Sequence, residues 1–130
     1  MSLRWYTVVV DCHDVKAQSR WWAEVLNWAI AYEADDEVVL VPPHLLAEDR
    51  KAPATENGPG LAFVSVPEAK TLKNRLHIDL APAKDDDQEA EVTRLEALGA
   101  RRIDIGQGDV RWVVLADPEG NEFCVLTPRD

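Results

Sequence analysis

Asp117-Pro118-Glu119-Gly120-Asn121-Glu122-Phe123-Cys124-Val125-Leu126 sets a tight turn ahead of an apolar run near the end of the chain. Proline presets one turn dihedral and glycine supplies another that other residues resist, so D-P-x-G-N reads as a tight turn. One β-like run, 110–115, ends just before it, and a second, 122–126, follows. Together they make a closing hairpin. Working outward, a strand is expected near 102–105, an acid-rich helix from about 86 to 98, and a strand at 76–80. Val92, Leu95 and Leu98 mark the buried stripe of that helix, and Gly99 is its C-cap.

The first half of the chain repeats this order. Residues 6–12 form a β-branched run, the signature of a strand. Asp14 caps a helix reaching about Leu26, in which Trp21 and Val25, and Trp22 and Leu26, are i,i+4 apolar pairs. Asn27 stands where a left-handed C-cap residue is wanted. Short runs at 29–33 and 38–41 follow, then a loop with Pro42, Pro43, Pro53 and Pro59, and a strand near 61–66. Leu26 matches Leu98 and Asn27 matches Gly99 at a spacing of 72, while Thr7 matches His77 at 70. A repeated βαβββ unit is the simplest account, with chance similarity of two generic β-α runs as the alternative. The expected fold class is α+β. Two paired βαβββ modules, about 4–67 and 73–128 of a single domain 1–130, would form a curved mixed sheet, a cup with the helices outside.

Bulk properties narrow the function classes. A chain of 130 residues, 46% hydrophobic and with five Trp, can bury its own core. Acidic residues outnumber basic ones 24 to 14, giving a formal charge of −10. That disfavours nucleic acid and anionic membranes as partners, since both ask for a basic surface. No apolar run approaches the roughly 20 residues that span a bilayer. Leu3-Arg4-Trp5 leads directly into a strand-like run, so no signal peptide is expected. Cys12 and Cys124 have neither metal-ligand spacing nor a disulfide framework, and the cytoplasm is the expected compartment.

Alternation along strands says which residues share a face. Val8 and Val10, Ile78 and Leu80, and Phe123 and Val125 form apolar sets suited to packing under helices. The opposite sets are Thr7, Val9 and Asp11; Arg75, His77 and Asp79; and Glu122, Cys124 and Leu126. Polar groups thus concentrate on the face away from the helices, a pattern that solvent exposure alone also produces.

The hairpin resembles the last one of the vicinal oxygen chelate superfamily, which includes glyoxalase I, fosfomycin- and bleomycin-resistance proteins and extradiol dioxygenases. The narrower resemblance is to its glyoxalase-like domain branch. It is carried by Val10-Asp11-Cys12, Trp21-Trp22, Leu26-Asn27-Trp28, Lys73-Asn74-Arg75-Leu76-His77-Ile78-Asp79-Leu80 and the closing 117–126 stretch. Members of this branch mostly have no assigned reaction, so it implies a fold rather than a defined activity. In metal-dependent members, side chains from the first, fourth, fifth and eighth strands bind one divalent ion, commonly two His with Glu or Gln. On this chain those positions fall at Thr7, near Val64 (or Ala62 in a shifted register), at His77 and at Cys124. A catalytic zinc site needs about three protein ligands, and an apolar Val64 supplies none. No cofactor is expected. A divalent metal held off the family geometry by His77, Glu122 and Cys124 is the alternative.

The expected function is small-molecule binding in the cup, by Thr7, Val64, Arg75, His77, Asp79, Trp112, Glu122 and Cys124, in a homodimer implied by the resemblance. His77 is the candidate catalytic residue, a general base oriented by Asp79; a histidine merely hydrogen-bonded in place is the structural alternative. Cys124 reads as an inert buried thiol. Arg75 could bind a carboxylate or phosphate, or pair with Asp79, Asp11 or Glu122. Trp112 could stack on a planar ligand or serve the core, whereas Trp21, Trp22 and Trp28 read as core. His13 and His44 have no identifiable partner set, and Asp85-Asp86-Asp87 suits a helix N-terminus. Bleomycin-resistance relatives, which hold a cationic drug between aromatic walls without a metal of their own, suggest antibiotic sequestration as the second reading; Arg75 would oppose a cation there. A metal-dependent lyase or dioxygenase is the third. The 42–59 segment is long enough to be a lid.

Overall fold

The structure, a computed structural model, describes residues 2–47 and 59–130. The expected lid therefore lies largely outside the described residues; within them, Pro43–Leu46 forms one 3-10 turn. The chain folds as two compact units, Met1–Ala69 and Lys70–Asp130. Each is a βαβββ module with its own mixed four-stranded sheet, so the fold is α+β.

In the first unit, β1 (Thr7–Cys12), α1 (Val15–Leu26), β2 (Ala29–Glu33), β3 (Glu37–Val41) and β4 (Gly60–Ser65) give the sheet order β1-β4-β3-β2. β1 and β4 run parallel, the other pairs antiparallel. α1 begins at Val15 because the Asp14 carboxylate accepts the Ala17 N–H at 3.1 Å. It packs on β3 and β4, burying Val15, Trp21, Trp22 and Val25; the two indole rings meet edge to face at 5.2 Å. Val38, Leu40 and Phe63 are fully buried beneath it.

The second unit repeats the plan with β5 (Ile78–Leu80), α2 (Gln88–Ala97), β6 (Arg101–Arg102), β7 (Val113–Ala116) and β8 (Glu122–Val125), in the order β5-β8-β7-β6. Its buried residues include Val92, Leu95, Leu115, Phe123 and Val125. α2 starts at Gln88, two residues later than expected, because Asp87 is the residue whose carboxylate caps it, accepting the Glu89 N–H at 2.9 Å.

The repeat is written most plainly at the helix ends. Trp28 N–H bonds back to Ala23 O, and Ala100 N–H to Leu95 O, each at 3.0 Å. The intervening residues, Asn27 at φ 54° and Gly99 at φ 111°, take the positive-φ conformation such a closure requires. Leu98 itself is the C-cap, with Gly99 just beyond it.

Three strands are shorter than their sequences suggest, and of these β7 begins only at Val113 instead of near 110. β6 stops at Arg102 because Asp104 accepts the Gly106 N–H (2.7 Å) and Gln107 the Ile105 N–H (2.8 Å), turning the chain out of the ladder. β5 begins only at Ile78, so His77 stands one residue ahead of it. Among the described residues, no helix is long and apolar enough to cross a membrane.

Candidate functional site

The closing turn anchors the site. Asp117 is buried, and its carboxylate accepts the backbone N–H groups of Glu119 (3.0 Å) and Asn121 (2.9 Å) and the Asn121 amide. Gly120 sits at φ 88° and donates its N–H to Asp117 O at 2.9 Å. Asp117, Gly120 and Asn121 are thereby spent on the turn, and β8 leaves it in a defined register.

β8 pairs in parallel with β5, bringing Asp79 opposite Cys124, while Val114 of β7 faces Cys124 from the other side. Residues opposed in a ladder point to the same face. His77, Asp79, Val114, Glu122, Cys124 and Leu126 accordingly line one pocket of about 310 Å³. Trp112 and Ile105 add apolar wall, and Gln107 and Lys73 add polar groups. Trp112 lies one residue before β7 rather than within it and is 43% exposed, offering a ring face rather than core filling.

His77 Nε2 lies 3.1 Å from Asp79 Oδ1, with both side chains about half exposed. The Cys124 thiol is buried against Asp79; burial first, then the carboxylate's negative charge, push it above the ordinary thiol pKa. Such a thiol is a poor nucleophile. The ligand atoms of His77, Asp79 and Cys124 lie within 4.8 Å of one another.

Glu122 does something else. Its Oε1 accepts from Lys70 Nζ and its Oε2 from the Asn74 backbone N–H, both at 2.9 Å. Burial works to raise its pKa, but those two donors outweigh burial and hold the carboxyl below its ordinary value. Asn74 also donates to Asn121 Oδ1 at 3.0 Å. Glu122 thus fastens residues 70–74, the approach to His77, onto β8. The trio of donors that converges is His77, Asp79 and Cys124, not the His77, Glu122 and Cys124 set expected from parity, because Glu122 is committed to Lys70 and Asn74.

Arg75 is exposed and is not among the lining residues. It precedes β5 by three residues, beyond the reach of strand alternation, and among the described residues Asp79 and Glu122 are paired with His77 and Lys70 instead. Thr7 and Val64 belong to the first unit. The Thr7 hydroxyl donates to Gly60 O at 3.2 Å, and Val64 pairs with Asp11. Val9 opposes Ala62 there as Asp79 opposes Cys124 in the second unit, so with Thr7 matched to His77 the repeat aligns Cys124 with Ala62 rather than Val64. Sequence reasoning missed Lys70 and Gln107, which lie on no strand, and Ile105, whose expected strand over 102–105 gives way to a turn after Arg102.

The model of the glyoxalase-like domain matches residues 7–126. The chain belongs to that family. Solved structures of fosfomycin resistance and glyoxalase/bleomycin resistance/dioxygenase proteins share its fold. The oxidase ChaP-H2 is 19% identical, with a TM-score of 0.64 over 99% of this chain and 96% of that one. A variant of the fosfomycin resistance protein FosX from Listeria monocytogenes, complexed with Mn(II) and 1S,2S-dihydroxypropylphosphonic acid, is 13% identical, with a TM-score of 0.67 over 99% and 92%. A glyoxalase/bleomycin resistance/dioxygenase family enzyme from Burkholderia phytofirmans PsJN is 16% identical, with a TM-score of 0.66 over 98% and 100%. No curated protein matches the chain at a significant level.

The metal common in the superfamily does not fit the corresponding residues here. Thr7 offers a hydroxyl already bonded to Gly60 O, Ala62 and Val64 are aliphatic, and a thiol stands where a carboxylate is usual. Of the four positions only His77 retains a typical donor.

Proposed function

We propose that this chain is a small-molecule-binding member of the glyoxalase-like family, taking its ligand in the pocket of the second unit without catalysis by the superfamily's four-ligand metal. The observation that supports this is the lining of the pocket. Trp112, Ile105, Val114 and Leu126 form an apolar wall, and His77, Asp79, Gln107 and Lys73 supply a few polar groups beside it. Small-molecule sites have this character, mostly apolar with a few groups that fix orientation. Trp112 suits a planar ligand. The pairing of His77 with Asp79 favours a second reading, proton transfer with His77 as general base, its tautomer held by the carboxylate. The reading includes a homodimer, supported by family analogy and by sheets that, among the described residues, end in edge strands, and a cytoplasmic site of action, supported by two cysteines outside any disulfide.

A thermal-melt screen of small aromatic and carboxylate compounds tests it. A ligand at 100 times its Kd stabilises the native state by about 2.7 kcal/mol. Hits should lose their shift in Trp112→Ala and keep it in Arg75→Ala. Hits indifferent to Trp112→Ala, or a screen without hits, would overturn the assignment of this pocket. Turnover of a hit that is lost in His77→Ala would establish the second reading over simple capture.

A further inference from the structure

We infer that His77, Asp79 and Cys124 form a three-donor site for a thiophilic divalent cation of the zinc type, contained wholly within the second unit. It goes beyond the small-molecule reading and does not depend on it. It also differs from the superfamily arrangement, in which donors come from both modules and Asp79 has no part.

Geometry supports it first. One imidazole nitrogen, one carboxylate oxygen and one sulfur lie within 4.8 Å of one another. Zinc–ligand bonds of about 2.0–2.3 Å set tetrahedral donor separations at roughly 3.3–3.8 Å, so small side-chain rotations bring the three into range. The backbone already holds two of them, because Asp79 and Cys124 are directly opposed in the β5–β8 ladder. His77 stands two residues from Asp79, on the same side of the chain, and already touches it at 3.1 Å. The second acidic residue of the pocket, Glu122, is excluded by its bonds to Lys70 and Asn74.

The donor set then selects the ion. Thiolate and imidazole suit zinc, whereas manganese and magnesium prefer oxygen. Three protein donors leave one tetrahedral position open, and all three residues line the pocket, so that position faces the ligand space. On binding, metal–nitrogen, metal–oxygen and metal–sulfur bonds form, the Cys124 S–H bond breaks and its proton passes to buffer. In that state His77 and Asp79 are ligands, not an acid–base pair.

Cobalt reports the site directly. Untagged, chelator-treated full chain is titrated with Co²⁺, and the near-ultraviolet thiolate-to-cobalt charge-transfer band is followed. One equivalent should saturate the band, and Zn²⁺ should displace it far better than Mn²⁺. Cys124→Ser should abolish it, and Asp79→Asn should weaken cobalt binding by on the order of 10–100-fold or more, at least the loss seen when outer partners are removed. Cys12→Ser, which changes the buried thiol of the first unit, should leave it intact. Circular dichroism of the Cys124→Ser protein separates loss of a ligand from loss of fold, and Asp79→Asn, at an exposed side chain, gives a second variant should the first misfold. No band in the wild type, a band that survives Cys124→Ser, or equal displacement by Mn²⁺ would overturn the inference. None of these outcomes involves a small molecule, so they leave the pocket assignment to its own test.

Discussion

Replacing Glu122 by Gln probes the fastening on which the geometry of the site rests. Its carboxylate is 10% exposed and the Lys70 side chain 19% exposed. Gln keeps an oxygen to accept the Asn74 N–H but turns an NH2 donor toward Lys70, so one bond loses its charge and the other its acceptor. A hydrogen bond to a charged group contributes about 1.5–3 kcal/mol, against about 0.5–1.5 for a neutral one. Breaking a fully buried ion pair costs about 3–5 kcal/mol, but Lys70 keeps some contact with water, which lowers the figure. The expected cost of Glu122→Gln is about 2 kcal/mol, and of Glu122→Ala about 3 kcal/mol, since Ala also leaves the Asn74 N–H without its acceptor. Urea unfolding at pH 7 measures it, with an unchanged m-value showing that only stability has moved. Amide exchange should quicken at residues 73–77 more than on β7. The carboxyl of Glu122 lies below its ordinary 4.5 in the folded protein. Its contribution is therefore complete above that value and is lost as pH falls through the lower, folded one. The gap between wild type and Glu122→Gln should be full at neutral pH and narrow below about pH 4.5. A gap under about 0.5 kcal/mol, or one independent of pH, would refute the assignment of Glu122 as the clasp of the 70–74 segment.

Substitutions at three further positions address the closing turn, the end of α1 and the packing of two strands. Asp117→Ala removes the acceptor of two backbone N–H groups in the closing turn and should cost about 2–4 kcal/mol in urea unfolding, since each buried donor left bare costs about 1–3. Asn27→Ala forces a Cβ-bearing residue without local polar compensation into φ 54° and should cost about 1 kcal/mol, whereas Asn27→Gly should fall within about 0.5 kcal/mol of wild type. Gly60→Ala would place a Cβ 2.6 Å from the Leu40 carbonyl oxygen on the neighbouring strand; the melting temperature should drop, by the equivalent of about 1–3 kcal/mol of overpacking.

The parts of the site that sequence reading reached lie on strands or within a residue of one, Trp112 just ahead of β7 included. Cys124, Glu122 and Leu126 on or beside β8, and His77 and Asp79 at β5, share one face because alternation is a property of any strand. Parity failed at Arg75, which lies outside β5, and it could not show that Glu122 faces the pocket while its oxygens belong to Lys70 and Asn74. Nor could it place Gln107 and Ile105, which reach the pocket from a turn shaped by Asp104 and Gly106.

Most of what is settled within about five residues was legible in the sequence, the turn that Asp104 and Gln107 build after β6 being the exception. Asp14 and Asp87 start the two helices, Asn27 and Gly99 end them, and Asp117 with Gly120 turns the last hairpin, because each acts through hydrogen bonds to its own near neighbours. Their spacing made the doubled βαβββ plan readable. The meeting of Asp79 with Cys124, 45 residues apart, and of Lys70 with Glu122, 52 apart, was decided only by the tertiary structure. The register of a parallel ladder is set by how the whole sheet buries its apolar face, and no short window of sequence contains that information.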